Sequence, residues 1–347
     1  MNEIPEITLE HCHLPWDQAL ELVSGWRESQ PGGRTMDPKA QLVGTLMKQI
    51  RPPDVIPTPE ESRAQLRKAV ELMGGTAPAL ARREDVEIPG PAGTLRLRLY
   101  DRAAHAGPRP VVLFVHGGGW VQGDLDTHDA PCARIAAWSD AMVLSLDYRL
   151  APEHKFPAAV DDVAAAYRWL RRHGAAIGAD PTRVAVAGDS AGGNLCAVLC
   201  QQCARENLAP PRFQVLVYPA MDLAWETSSC RDMPDAYVLP RARLEWYVEQ
   251  YLGSPHEVSD PRVSPLRAPS LAGQPPALVI TCGFDPLRDD GRHYAERLAH
   301  SGASVTYHEY PGQIHAFFSL AGAIPEALHC QREIADFVRR GFDEGLA

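Results

Sequence analysis

A serine enclosed by glycines stands between a short apolar run and a segment of helical character. The pentapeptide GDSAG, centred on Ser190, follows the apolar residues 184–187 and leads into a predicted helix over residues 194–205. A tight turn between a strand and a helix exposes a serine hydroxyl above a sheet and points a helix N-terminus at it. This context favours a nucleophile for acyl transfer. The alternative is a serine that only caps the helix.

A run of glycines follows a second apolar segment. His116, three glycines and Trp120 come directly after residues 111–115. Backbone without side chains can bring several N–H groups to a reacting oxygen, as the oxyanion of acyl transfer requires. A simple glycine turn or a phosphate loop is the alternative, but a phosphate loop would carry Lys with Ser or Thr after the glycines. We expect His116 to brace this loop rather than to transfer protons.

A serine nucleophile needs a base within hydrogen-bond reach. Among the 13 histidines, His315 follows the last predicted strand, residues 305–310, which is polar enough to lie near a sheet edge. Loops at the carboxyl ends of parallel strands are where α/β sheets bind ligands. His315 is therefore the predicted base, and a loop histidine with a purely structural hydrogen bond is the alternative.

The base in turn needs an acid that orients it. Asp285 lies three residues after the apolar run 277–282 and fits this role better than Asp289 or Asp290. An aspartate that only forms an Asp-Pro turn is the alternative. The chain order serine, aspartate, histidine is that of α/β hydrolases and differs from the two other common serine-hydrolase orders.

These candidates require a parallel sheet to position them. Leucines alternate with polar residues over positions 95–100, which indicates a half-buried strand, and residues 86–89 are its expected hairpin partner. Short, nearly continuous apolar runs are typical of strands covered on both faces by helices, and they occupy residues 111–115, 142–146, 184–187, 215–218 and 277–282. Helical segments between them, such as residues 161–173, complete the alternation. The pattern predicts an α/β fold with a doubly wound, mostly parallel sheet opened by an antiparallel hairpin.

Two segments depart from this alternation. Residues 1–80 are helical in character, with no strand pattern and with a predicted helix over 59–72. Residues 222–270 form an insertion rich in large aromatic side chains. We therefore divide the chain into a helical segment, 1–80, and a main domain, 81–347, that carries the insertion.

Five motifs together resemble the hormone-sensitive-lipase-like carboxylesterases, the bacterial group with GDSAGG at the nucleophile. The matching pieces span about residues 85 to 340, and they are residues 116–120, 147–154, 188–193, 285–289 and 315–317. The sequence departs from the family at Asp290, where a glutamate is expected. Residues 1–80 match only in general character.

The resemblance implies an α/β-hydrolase fold in which residues 1–80 and 222–270 form a cap over the active site. It implies Ser190 as nucleophile, His315 as base and Asp285 as acid. It further implies that backbone N–H groups hold the oxyanion and that side chains nearby contact substrate. The oxyanion donors are Gly118, Gly119 and Ala191, and the expected substrate contacts are Trp120, Asp189, Tyr218, Leu287 and Phe317.

Composition limits the remaining possibilities. A net charge of −10 argues against a nucleic-acid partner, and no apolar run approaches the length needed to span a membrane. Eight irregularly spaced cysteines and an acidic N-terminus without a secretion signal predict a cytoplasmic protein. Cys196, Cys200 and Cys203 have the spacing of an iron–sulfur site but fit one face of a helix better, and the pair His11 and His13 fits the surface better than a metal site.

We thus expect a serine carboxylic-ester hydrolase for short- to medium-chain acyl esters that forms an acyl-enzyme and needs no cofactor or metal. Its partner is a small ester, and a homodimer is left open. An amidase or acyl transferase with the same triad is the alternative. A non-catalytic receptor on the same fold would usually lack the histidine of the triad.

Overall fold

The computed structural model describes residues 4–30, 33–52, 55–104 and 107–344. The first three residues of the acidic N-terminus lie outside these ranges. The strands are β1 (Ser29–Gln30), β2 (Arg34–Thr35), β3 (Arg82–Gly90), β4 (Gly93–Asp101), β5 (Arg109–Val115), β6 (Met142–Asp147), β7 (Ala179–Asp189), β8 (Gln214–Val217), β9 (Ala277–Phe284) and β10 (Val305–Ile314).

An eight-stranded sheet forms the centre of the described structure. Its order is β10-β9-β8-β7-β5-β6-β4-β3. The strands β5 to β10 pair in parallel, whereas β4 pairs antiparallel with both β3 and β6. The predicted hairpin and the predicted edge position of residues 305–310 are confirmed. The fold is that of the α/β hydrolases, as the motifs implied.

Side chains alternate between the two faces of this sheet, and both faces are buried. In β5, Val111 and Leu113 belong to one apolar cluster, and Val112 and Phe114 belong to the other. A strand covered on both sides buries every side chain, which is why these segments are nearly continuous apolar runs in the sequence.

Helices cover both faces of the sheet and make up most of the N-terminal segment. In the described residues, the α-helices are α1 (Leu9–Cys12), α2 (Trp16–Val23), α3 (Pro38–Ile50), α4 (Pro59–Met73), α5 (Asp129–Ser139), α6 (Ala158–His173), α7 (Ala191–Arg205), α8 (Ser228–Asp232), α9 (Arg241–Tyr251), α10 (Arg288–His300) and α11 (Glu326–Asp343). No helix in these ranges is both long enough and apolar enough to cross a membrane.

The N-terminal segment largely follows its sequence signals. The helix predicted over 59–72 is confirmed as α4 and ends one residue later. Its first turn is fixed by Thr58 and Glu61, which exchange side-chain and backbone hydrogen bonds in a capping box. The expectation of no strand in this segment was wrong, because β1 and β2 form a small antiparallel pair. Strands of two residues are too short to show a period in the sequence.

Candidate active site

The sheet brings the predicted residues to one edge. Parallel strands present their carboxyl ends together, so the loops that follow them meet in space. β5 ends one residue before His116, β7 ends one residue before Ser190, β9 ends one residue before Asp285, and β10 ends one residue before His315.

The turn at Ser190 is sharp and strained. Its backbone has φ 53° and ψ −118°, a left-handed conformation that non-glycine residues rarely adopt. The Ser190 N–H donates to the carbonyl of Val217 on β8 at 2.8 Å, which holds the turn against the sheet. A Cβ atom on Gly192 would overlap the Val115 carbonyl, so helix α7 can approach β5 only with glycine there. The serine hydroxyl is thereby fixed at the start of α7.

Ser190, His315 and Asp285 form a continuous hydrogen-bonded chain. The Ser190 Oγ lies 2.9 Å from His315 Nε2, and His315 Nδ1 lies 2.7 Å from Asp285 Oδ2. The other carboxylate oxygen of Asp285 accepts the Leu287 N–H at 2.8 Å. Asp285 is fully buried, whereas 9% of Ser190 is exposed. This arrangement can pass a proton from the hydroxyl to the imidazole while the carboxylate holds the ring in place.

The neighbouring carboxylates have other contacts. Asp289 accepts the Ser229 N–H at 3.0 Å, and Asp290 accepts the Asp222 N–H at 2.9 Å. Both bonds fasten the insertion to the start of α10. The two groups therefore secure the insertion while Asp285 alone of the three contacts His315. Burial raises the pKa of Asp290 to about 7, although its backbone and hydroxyl donors act in the opposite direction.

The glycine loop after β5 presents its backbone to the site. The Gly118 carbonyl accepts the N–H groups of Val121 and Gln122, which closes a turn, and Gly118 and Gly119 border the space over Ser190. Gly118 has φ 120° and Gly119 has φ 61°. A side chain on Gly119 would also collide with the Tyr247 ring. The loop therefore needs glycine both for its conformation and for its packing.

Asp189, beside the serine, ties this loop to the nucleophile turn. Its Oδ1 accepts the Gly117 N–H at 2.8 Å and lies 3.2 Å from His128 Nε2, and its Oδ2 lies 3.4 Å from the Tyr218 hydroxyl. Burial acts to raise the pKa of Asp189, but the charge and hydrogen bond of His128 and the Gly117 N–H outweigh it and hold the pKa below its ordinary value. The carboxylate is thus ionised and supports the loop.

We expect Asp189→Asn to lower kcat about tenfold to hundredfold, because small displacements of a positioned loop carry costs of this size. It should also lower the free energy of unfolding by about 2 kcal/mol at pH 7, the scale of a charged hydrogen bond. The pKa of Asp189 is lower in the folded state than in the unfolded state. Its ionisation therefore stabilises the fold above about pH 4, and this contribution is lost as the pH falls further.

Urea unfolding of both proteins at several pH values measures this difference. It should be largest near pH 7 and shrink below about pH 4. Asp17→Asn, at an exposed position in α2, is the control. A difference between wild type and Asp189→Asn that stays constant from pH 7 to pH 3 would contradict this account.

His116 has the bracing position expected of it. Its Nδ1 lies 2.8 Å from the Gly117 carbonyl oxygen, its ring stacks on Tyr148, and the Tyr148 hydroxyl donates to its carbonyl at 2.9 Å. Burial and the nearby His128 lower the pKa of His116 to about 4. The ring is therefore neutral at physiological pH.

A largely apolar cavity of about 90 Å³ lies over Ser190 and His315. The predicted contacts Trp120, Asp189 and Leu287 line it. Both segments outside the alternating pattern contribute to its wall. From the N-terminal segment these are Met47, Arg51, Leu66, Ala69 and Val70, and from the insertion they are Trp225, Val238, Leu239, Leu244 and Tyr247.

Two predicted substrate contacts, Tyr218 and Phe317, do not line the cavity. Tyr218 packs on the His315 ring with centroids 4.6 Å apart, and Phe317 packs against Tyr218 and Tyr310. Neither side chain borders the cavity, and both are fully buried. Tyr218 thus packs on the histidine and Phe317 packs on Tyr218, and the role of both as substrate contacts stays a prediction.

The sequence did not point to several residues that complete the site. Ser62 on α4 donates to Gln122, and Gln122 donates to the Tyr247 hydroxyl on α9, at 2.6 and 2.9 Å. This chain joins both outer segments to the glycine loop. His128 was also missed, since no motif surrounds it. Tyr247 had a signal, because it belongs to the aromatic cluster of the insertion.

In the ranges that the structure describes, no group of three or more His, Cys, Asp or Glu side chains is arranged so that it could hold a metal ion. Cys196, Cys200 and Cys203 lie on helix α7 and are buried, as a helix face predicts. The eight cysteines are free.

Comparison with known proteins identifies the group to which this site belongs. Residues 112–319 match the family model described as the alpha/beta hydrolase fold. The chain is 42% identical over 318 residues to a carboxylic ester hydrolase, LipN, of Mycobacterium tuberculosis, covering 88% of this chain and 84% of that protein. It is 38% identical to an ethyl acetate hydrolase of Pseudomonas putida, over 77% of this chain and 86% of that one. The chain belongs to the hormone-sensitive-lipase-like α/β hydrolases.

Solved structures of this family agree. An ester hydrolase from the metagenome of Lake Arreo, in complex with a bipyridine phosphonate derivative, superposes with a TM-score of 0.84 at 39% identity, covering 88% of this chain and 99% of that one. The Pyrobaculum calidifontis esterase gives 0.82 at 35% identity, with the same coverage. Like these family members, the chain is an enzyme of the carboxylesterase type.

Proposed function

We propose that the protein hydrolyses short- to medium-chain acyl esters through an acyl-enzyme on Ser190. The observation that carries this proposal is the hydrogen-bonded chain from Ser190 through His315 to Asp285, at 2.9 and 2.7 Å. The three hydrogen-bonded side chains lie at the floor of an apolar cavity, where an acyl group would lie beside the nucleophile.

The reaction begins when His315 Nε2 takes the proton of the Ser190 hydroxyl and the oxygen attacks the ester carbonyl. Asp285 holds the imidazole in the tautomer that accepts at Nε2, and it stabilises the cation that forms. Negative charge develops on the carbonyl oxygen at this stage. The N–H groups of Gly118, Gly119 and Ala191 stabilise it.

Collapse of this intermediate releases the alcohol, which takes the proton from His315. Water then attacks the acyl-enzyme with His315 again as base, and the carboxylic acid leaves. Ala191 is the first residue of α7, and the first N–H groups of a helix have no partner within the helix. Its N–H is therefore free to serve the oxyanion in both steps.

Rapid mixing with 4-nitrophenyl acetate tests the acyl-enzyme. We expect a burst of nitrophenol equal to the enzyme concentration if deacylation limits turnover, and an acetyl adduct on the Ser190 peptide after acid quenching. A matched anilide should react far more slowly than the ester. A burst without an acetyl adduct on Ser190, or an adduct on a different residue, would contradict the proposed intermediate. Faster release of the amine would favour an amidase.

We further propose that residues 1–80 and 222–270 act together as a cap that sets the length of the acyl group. Met47 on α3 and Leu244 on α9 reach the cavity from the two segments. A small apolar cavity favours acyl groups that fill it, at about 0.8 kcal/mol for each methylene buried. Acyl groups that are longer than the cavity gain nothing from the methylenes that do not fit inside it.

Met47→Ala and Leu244→Ala should therefore each move the preferred acyl chain to a length about one or two carbons greater, because each removes side-chain atoms from the cavity wall. The measurement is kcat/KM over 4-nitrophenyl esters of increasing length. Ile50→Ala on the same helix as Met47, at a position 68% exposed, is the control. An unchanged length profile in both cavity variants would show that the two segments do not set acyl length.

Cytoplasmic location and a homodimer stay predictions. Eight free, buried cysteines are consistent with a reducing compartment.

A further inference from the structure

The cavity over Ser190 shares part of its wall with a narrow crevice between the two outer segments. Met47, Arg51 and Val238 border both spaces, and Arg243 borders the crevice. Arg51 directly follows α3, and Arg243 lies in the first turn of α9. Two arginines thus stand where the wall of the largely apolar cavity meets this crevice.

Arg243 is placed where a cation is costly. The residue is only 4% exposed, and its buried Nη1 has no hydrogen-bond partner. Burial lowers the pKa of Arg243, and the charge of Arg51 lowers it further. The first turn of a helix also carries a partial positive charge that repels cations and attracts anions. Stacking on Trp246, 5.3 Å from its ring centroid, compensates for only part of this cost.

Other arginines nearby have carboxylate partners. Arg241, two residues earlier on the same helix, lies 2.7 Å from Glu245. By contrast, no Asp or Glu of the described residues forms an ion pair with Arg51 or Arg243. In a chain of net charge −10, two adjacent arginines without such a partner are a local excess of positive charge beside the cavity.

We propose that Arg51 and Arg243 bind a carboxylate at the end of the substrate remote from the ester bond that Ser190 attacks. The preferred substrates are then esters that carry a free carboxylate, such as monoesters of dicarboxylic acids. A guanidinium matches a carboxylate with two parallel hydrogen bonds. The carboxylate would supply the acceptor that Nη1 of Arg243 lacks. This inference rests on the proposed ester hydrolysis.

Paired substrates test it. Monoethyl esters from succinate to suberate place the carboxylate on the acyl side, and acetoxyalkanoic acids place it on the alcohol side. Each is compared with the neutral ester of equal length by following acid release. We expect one series to contain a length at which kcat/KM for the carboxylate ester exceeds that of its neutral match about tenfold or more, the effect of one charge-assisted contact.

Arg51→Gln and Arg243→Gln should each lower this ratio of kcat/KM values about 10- to 100-fold. Arg339→Gln, on α11 and paired with Asp336, is the control and should keep the ratio. Arg51 is partly exposed, so its variant keeps the test valid if Arg243→Gln does not fold. A ratio below one at every length, or a ratio that neither variant lowers, would overturn the inference.

A neutral ester that is hydrolysed while its carboxylate match is not would refute the carboxylate site alone. If no ester of either kind is hydrolysed, the proposed function itself fails. Calorimetric titration with monoethyl adipate then decides the carboxylate site. Binding that Arg51→Gln weakens would support it, and absence of binding would overturn it.

Discussion

Ser190→Ala should lower kcat for ester hydrolysis by a factor on the order of 10⁶, the cost typical of losing a triad nucleophile. The variant removes one oxygen and leaves the turn, the glycine loop and the cavity in place. His315 then has no hydroxyl to deprotonate, and only the oxyanion donors and substrate binding continue to assist attack by water. Steady-state rates with 4-nitrophenyl butyrate, on protein free of host esterases, provide the measurement.

A control variant and a stability measurement show whether the loss of activity comes from the Ser190 hydroxyl. Ser24→Ala, at an exposed position after α2, should retain full activity. Thermal unfolding of Ser190→Ala should match that of the wild type, because the Ser190 N–H bond to Val217 does not involve the side chain. Retention of a tenth of the activity by Ser190→Ala would exclude this residue as the nucleophile.

Asp285→Asn should lower kcat by a factor of about 10⁴, the cost of this change in a serine protease triad. The Asp285 Oδ2 accepts from His315 Nδ1 at 2.7 Å, and the Leu287 N–H occupies Oδ1. An amide whose NH₂ group faces Nδ1 favours the tautomer with its proton on Nε2. The imidazole then cannot accept the serine proton. The variant should also lose the stabilisation of the imidazolium that forms during attack.

Asp289→Asn is the matched control, since Asp289 lies close in sequence, in the first turn of α10, and the change also replaces a buried carboxylate with an amide. The Asp289 carboxylate accepts the Ser229 N–H and pairs with Arg288. Replacing it should therefore lower the free energy of unfolding but have little effect on kcat. Comparison of kcat with the midpoint of urea unfolding separates the two effects. If Asp289→Asn reduced kcat more than Asp285→Asn did, the acid of the triad would be misassigned.

The strands of the sheet and the chain order of the candidate catalytic residues were predictable from sequence patterns alone. Residues 111–115 and 277–282 show as apolar runs because each strand is buried on both faces. Each candidate follows a predicted parallel strand: Ser190 comes after residues 184–187, Asp285 after 277–282 and His315 after 305–310. Chain position alone therefore places them at one edge of the sheet, whatever the loops do.

Which side chains meet around that edge depends on tertiary packing. Gln122 and Tyr247 are 125 residues apart and touch because α9 folds over the glycine loop, and no local pattern encodes such a contact. Tyr218 was expected to contact substrate, but its ring packs on His315 and does not border the cavity. The direction of a side chain depends on backbone torsion and on packing partners that are distant in the sequence.

The pairing of Arg51 with Arg243 beside the cavity likewise depends on tertiary packing. Arg51 and Arg243 belong to separate segments, and in the sequence each is one arginine among many scattered ones. Their proximity, and the absence of a carboxylate partner among the described residues, arise from how α3 and α9 pack over the sheet. The electrostatic free energy of two neighbouring guanidinium groups depends on their burial and on the distance between them. Residue type and sequence spacing specify neither.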